Sequence, residues 1–195
     1  GLFLNSKTIL GKNALDGFTS LEWVSVSEGA TVGTNAGEFN CCRSLSHVNL
    51  PKSVTAMSGT MFQSCSALRC VAAGENMKDF YASAMIYCSA LRNTVAAPKA
   101  TSLPYGAYYQ CYSLRRVCID DGVTSIGGSV FSTCRAVAEL TIPSKVTTIA
   151  ASAFGIMESL RRGRFLPTTP PTVANANAFG SWPTDCVVEV PAGSL

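Results

Sequence analysis

The stretch FQSCSAL, residues 62–68, places Cys65 three residues ahead of Leu68. The same phrase returns as FNCCRSL around Cys42, IYCSAL around Cys88, YQCYSL around Cys111 and FSTCRAV around Cys134. The step between these cysteines is 23 residues every time. Three further columns keep it: Leu45, Leu68, Leu91, Leu114, Val137 and Leu160; Phe39, Phe62, Met85, Tyr108, Phe131 and Phe154; Met57, Phe80, Leu103, Ile126 and Ile149. A fourth, read as inward-facing, runs Leu50, Ala73, Ala96, Ile119, Ile142 and Phe165. A fixed period of this length, carried by several apolar columns in one register, marks a solenoid of stacked coils. One coil cannot bury its apolar face alone, so each depends on its neighbours.

Within each coil, LSHVNL (45–50), LRRVCI (114–119) and VAELTI (137–142) share the form L-x-x-V-x-L. Their last residues alternate apolar and polar, as a short half-buried strand does. A Pro or Asp/Gly turn follows, in PKS, DDG and PSK. VTSI or VTTI then gives a second extended piece. The small-residue stretches GGSVFSTC and AASAFGIM read as a turn or a brief helical segment. Strands recurring once per coil must be parallel, and parallel crossovers favour a right-handed path.

The L-x-x-V-x-L unit with its preceding cysteine resembles a leucine-rich repeat. LTIPSKVTTIAASAF (140–154) and VCIDDGVTSIGGSVFSTC (117–134) resemble the BspA-like branch of that family. The resemblance implies a right-handed leucine-rich repeat solenoid with short parallel strands and extended or helical turns on the other side. It also implies a surface protein of a host-associated bacterium or a protist. We expect a single repeat domain over 1–195. Residues 1–38 are degenerate N-terminal repeats, where LEWVSV echoes the strand with a one-residue slip. Residues 39–165 are the regular repeats. Residues 166–195 form a closing segment, with VVEVPAGSL as last strand and turn. Residues 71–85 and 94–107 depart from the pattern, and the small Ala73 and Ala96 predict local flattening or bending there. Gly163 sits in the valine column.

Composition limits function. Apolar residues make up 47% of the chain and charged residues 14%, and the net charge of +3 is too small to imply nucleic acid. No apolar run is long enough for a membrane-spanning helix. GLFLNSKTIL lacks the basic start and apolar stretch of a signal peptide. The chain opens and closes in mid-pattern, so a mature or trimmed piece of a longer exported protein is expected.

Cys42, Cys65, Cys88, Cys111 and Cys134 are one column of the coil and read as a structural core ladder of small buried packers. Coils roughly 4.8 Å apart fall within disulfide reach, but stacked equivalent side chains point the same way and oppose a bridge. The redox states of Cys41, Cys70, Cys118 and Cys186 stay open, Cys70 and Cys118 falling on polar strand positions. Ligand spacing for zinc or calcium is absent, as is a phosphate loop. His47, the only histidine, reads as a surface residue. We expect no catalytic residues, no metal and no cofactor.

One charged feature stands out. Arg69, Arg92, Arg115 and Arg161 share a register that Ser46 begins and Ala138 interrupts, with Arg116, Arg162 and Arg164 beside it. Seven of the nine arginines thus lie along one strand edge. Arg69, Arg92, Arg115, Arg116, Arg161 and Arg162 are the candidate binding stripe; a solvated rim is the alternative. Two polar sheet columns should face solvent: His47, Cys70, Asn93, Arg116, Glu139, Arg162, and Asn49, Ala72, Val95, Cys118, Thr141, Arg164. The expected function is a non-catalytic binding or adhesion module, extracellular or on the cell surface by resemblance, offering an extended sheet face to a protein or glycan, acidic ones included. The alternative is a structural spacer. Membrane insertion is not expected, and the oligomeric state is left open.

Overall fold

The computed structural model describes residues 1–192; the 193–195 part of the expected closing turn lies outside them. The described residues contain thirteen short strands: β1 Leu2–Leu4, β2 Trp23–Val26, β3 His47–Asn49, β4 Ala56–Met57, β5 Cys70–Ala72, β6 Asp79–Phe80, β7 Ser102–Leu103, β8 Ser125–Ile126, β9 Glu139–Ile142, β10 Thr148–Ile149, β11 Arg162–Phe165, β12 Thr172–Val173 and β13 Val187–Glu189. Every strand pairing is parallel. The chain is a parallel-strand β-solenoid of about eight coils, each about 23 residues long.

Each coil has three sides. The first carries β1-β2-β3-β5 and, further on, β9-β11-β13; the second carries β4-β6 and then β7-β8-β10-β12. Alternation puts Val24 and Val26 of β2, and Leu140 and Ile142 of β9, into the core, while Trp23 and Glu139 stay exposed. β3 pairs with β5 through His47 and Cys70, whereas β2 pairs with β3 through Trp23 and His47. The second offset is one residue longer, so the slip read at 21–26 is present.

The third side is a continuous arc of turns, and this resolves the choice between turn and helix. The one helical piece among the described residues is a 3-10 turn at Ala176–Ala178. Two residues per coil adopt left-handed backbone: Thr60, Ser83, Ser129 and Ser152 in one column, and Cys41, Ser64, Tyr87, Gln110 and Thr133 in another. These conformations alternate the direction of the amides. Met61, Gln63 and Cys65 donate N–H within their own coil, to Ser58, Thr60 and Phe62; Thr60, Phe62 and Ser64 donate onward, to Ala82, Ala84 and Ile86. A helix would have satisfied its amides internally and left the next coil without partners.

The core holds the apolar columns. Leu45, Leu68, Leu91, Leu114, Val137 and Leu160 are fully buried. Phe39 stacks on Phe62 at 5.4 Å between centroids, and Tyr108, Phe131, Phe154 and Phe179 stack in turn at 5.4, 5.7 and 5.9 Å. Phe179 carries the aromatic ladder one coil past the regular repeats. Trp182 then fills the space that Gly163 leaves: a Cβ on Gly163 would stand 3.0 Å from its ring. The Trp182 indole donates to the Phe154 carbonyl at 2.9 Å.

The irregular middle corrects two expectations. Ala96 is exposed rather than inward, and Val95, expected on a solvent-facing column, is buried. Pro98 removes a backbone donor and holds Ala97 extended, and turning valine inward buries more apolar surface than alanine would. Towards the following coil, side chains replace missing rungs. The Thr94 hydroxyl accepts from Cys118 N–H at 2.9 Å and donates to Cys118 O at 3.1 Å. Ala97 N–H donates to the Asp120 carboxylate at 3.0 Å. Val95 N–H donates to the Tyr108 hydroxyl at 3.1 Å. Both sheets are interrupted between the same two coils, after β5 and after β6.

Candidate binding surface

The five ladder cysteines lie at the end of the turn arc. All are fully buried and free. Each thiol donates to a backbone carbonyl of the preceding coil: Cys42 to Leu15 at 3.1 Å, Cys65 to Phe39 at 3.1 Å, Cys88 to Phe62 at 3.0 Å, Cys111 to Met85 at 3.3 Å and Cys134 to Tyr108 at 3.2 Å. Cysteine here is small, apolar and still a donor, a combination neither alanine nor leucine offers. Burial pushes Cys42 up to about 11 and Cys88 and Cys134 up to about 12, and raises Cys65 and Cys111 as well. Thiols so far from the thiolate form are poor nucleophiles and metal ligands.

The arginines occupy the edge where the arc passes into the first sheet. Arg69 N–H donates to Ser46 O at 2.9 Å, Arg92 to Arg69 at 3.3 Å and Arg115 to Arg92 at 2.9 Å. This backbone ladder sets three arginines on consecutive coils, about 4.8 Å apart. After Ala138, Arg161 resumes the column by donating to the Ala138 carbonyl at 2.8 Å. Arg69, Arg92, Arg115, Arg116 and Arg161 are exposed and, among the described residues, form no ion pair. Arg116 lies one position along, in register with Asn93 and Glu139. Arg162 differs: its guanidinium meets Glu189 at 3.3 Å, and Arg164 meets the same carboxylate at 2.9 Å. The far end of the stripe is therefore partly neutralised, and its unpaired arginines are Arg69, Arg92, Arg115, Arg116 and Arg161 among the described residues.

His47 is exposed and bonded to the Ser46 hydroxyl at 2.8 Å. Cys70 and Cys118 are exposed; Cys41 and Cys186 are half-buried. Among the described residues no three His, Cys, Asp or Glu side chains converge as a metal cluster, and no helix is long and apolar enough to cross a membrane.

Two features escaped the sequence reading. Glu38 is fully buried and accepts from Gly33 N–H at 2.8 Å, Asn35 N–H at 3.2 Å and the Ser58 hydroxyl. It locks the loop that absorbs the slip; it shares the 23-residue register of Met61, Ala84, Ala107, Val130 and Ala153, all buried, a column the sequence reading did not draw. The second is a group of exposed tyrosines on the arc between Tyr81 and Tyr112. Their crowding into two coils was visible in the sequence, but no apolar column contained them.

A stack of short parallel strands with a leucine column, an aromatic ladder and cysteines capping the arc defines a leucine-rich repeat solenoid. The family profile for the BspA type leucine rich repeat region matches in six copies, over residues 3–111, 32–161 and 101–179. The chain belongs to that family. No curated protein matches the sequence. Among solved structures, a leucine-rich repeat protein of T. pallidum, TpLRR, is similar at a TM-score of 0.71 and 21% identity, over 80% of this chain and 77% of that one. A leucine-rich repeat protein of Eubacterium ventriosum is similar at a TM-score of 0.60 and 18% identity, over 93% of this chain and 60% of that one. The pneumococcal vaccine antigen PcpA is similar at a TM-score of 0.52 and 13% identity, over 98% of this chain and 62% of that one. At these identities the likeness is one of fold, and the chain spans about three fifths of the length of the latter two.

Proposed function

We propose that this chain is a non-catalytic binding module of a secreted or surface-attached bacterial protein, and that its arginine column takes an acidic partner. The observation that carries this reading is the backbone ladder from Ser46 through Arg69 and Arg92 to Arg115, which holds exposed guanidinium groups on successive coils with no acidic side chain among the described residues paired to them. Guanidinium forks bind carboxylate, sulfate and phosphate groups in paired geometry. One exposed contact is weak and screened by salt. Several on a rigid ladder act together on a linear partner such as a sulfated glycan or an acidic peptide. The family membership and the likeness to a vaccine antigen favour an extracellular setting.

The test compares wild type with a variant carrying Arg92→Ser, Arg115→Ser and Arg116→Ser, against heparin oligosaccharides and polyglutamate at low and physiological salt. The wild type should bind at low salt, with affinity falling as salt rises, and the variant should lose most of that binding. No binding at low salt, or equal binding by the variant, would leave the column a solvated rim and favour a structural spacer.

A further inference from the structure

The tyrosines of the turn arc stand apart from the arginine column in both position and chemistry. Of the six tyrosines in the chain, all fall between residues 81 and 112. Only Tyr108 serves the core; Tyr81, Tyr87, Tyr105 and Tyr112 are exposed and Tyr109 is half-buried. The arc does not need rings at these places. The positions equivalent to Tyr87 in other coils hold Ser64, Gln110 and Thr133, and those equivalent to Tyr112 hold Ser66, Ser89 and Arg135. Tyr87 moreover keeps its bulky side chain on left-handed backbone, at φ 64°. Such backbone is costly for a bulky residue, and here the residue is 41% exposed and contributes little to the core in return.

The rings are fixed before any ligand arrives. Tyr87 meets Tyr109 edge-on, with centroids 5.8 Å apart and planes at 68°. Gln110 ties Tyr109 to Tyr112: its amide N–H donates to the Tyr109 oxygen at 3.0 Å, and its carbonyl accepts from the Tyr112 hydroxyl at 2.6 Å. The Arg135 guanidinium lies 5.7 Å from the centre of the Tyr112 ring and pairs with Glu158 at 3.4 Å. These contacts also define what remains free. Tyr109 Oη, already accepting, has its proton to donate. Tyr112 Oη, already donating, has lone pairs to accept. The Arg135 charge beside Tyr112 is offset by Glu158, which favours an uncharged ligand at these rings.

We propose that Tyr87, Tyr109 and Tyr112 form a stacking platform for a neutral oligosaccharide. A pyranose has one face of C–H groups, which packs on aromatic rings, and a rim of hydroxyls, which needs one donor and one acceptor at the platform edge. The three rings, with Tyr87 and Tyr109 at 68° to one another, match one or two sugar units. They fall well short of the roughly 800 Å² per partner of a stable protein interface. Because the rings are already held, little rotamer entropy is lost on binding.

The experiment titrates the protein with cellohexaose, maltohexaose, mannohexaose and chitohexaose by calorimetry, at low and high salt. At least one should bind, with an affinity that salt leaves unchanged. Tyr109→Ala and Tyr112→Ala should each weaken binding about tenfold, the loss expected of an anchoring aromatic, and Tyr112→Phe should lose less than Tyr112→Ala. The Arg92→Ser, Arg115→Ser, Arg116→Ser variant should bind as wild type does. All variants should keep the wild-type far-ultraviolet circular dichroism. Binding by none of the four sugars, equal binding by Tyr112→Ala, or binding that falls with salt and with the arginine variant would overturn the platform.

Discussion

Tyr108 joins the two kinds of residue that make up this chain, those that repeat and those that repair. Its ring continues the aromatic ladder, stacked on Phe131 at 5.4 Å. Its hydroxyl takes the Val95 N–H that the broken strand leaves without a backbone partner. Tyr108→Phe should keep the stacking and lose the acceptor, lowering stability by about 1–3 kcal/mol, the usual cost of an unsatisfied buried donor. The urea midpoint measures this, and an unchanged midpoint would mean that Val95 finds another partner. The ladder thiols make a second residue-scale expectation. Burial raises their folded values, to about 11 for Cys42 and about 12 for Cys88 and Cys134, from 9.0. Above pH 9 the unfolded chain therefore releases protons that the folded chain retains. Stability should be full below pH 9 and fall as pH rises towards 11 and 12. Cys88→Ala should fall less steeply, and parallel slopes would show that the thiols do not drive the loss.

At the scale of the element, the strands were legible because their alternation is written in apolar residues: Val48, Leu140 and Ile142 face in wherever the period places them. The arc was only half legible. Its left-handed corners fall on Thr60, Ser64, Gln110 and Thr133 as well as on glycine, and such residues carry no local signal for that backbone. They are held there by bonds to the next coil, a tertiary cause that no single repeat reveals. The break at Val95 was visible as a lost pattern, but which side chain turns inward depended on Pro98, Thr94 and Asp120 acting together. The arginine column was readable from the period alone; its partial neutralisation by Glu189 was not, because Glu189 lies outside the regular repeats. The broken rungs also set a weak point. Solenoid stability is a sum of neighbouring interfaces, and this interface lacks strand pairing on two of its three sides. Native-state hydrogen exchange should show the amides of 94–103 opening before those of β9 to β11. Uniform protection along the stack would mean that the turn arc and the buried core hold this interface as firmly as strand pairing would.

For the whole molecule, stacking turns a modest charge into an ordered one. A net charge of +3 gives little general attraction to an acidic partner. A ladder of arginines at one-coil spacing can hold one locally, provided the guanidinium groups are free. That condition separates Arg69, Arg92 and Arg115 from Arg162 and Arg164, which share Glu189. The most direct measurement is a titration of the side-chain Nε–Hε resonances of all nine arginines with a sulfated hexasaccharide at low salt. The expected result is large, saturating shifts at Arg69, Arg92 and Arg115, with Arg162 and Arg164 nearly still. Small shifts spread evenly over all nine, or the largest shifts at the pair held by Glu189, would contradict a binding column and leave the solenoid as a scaffold.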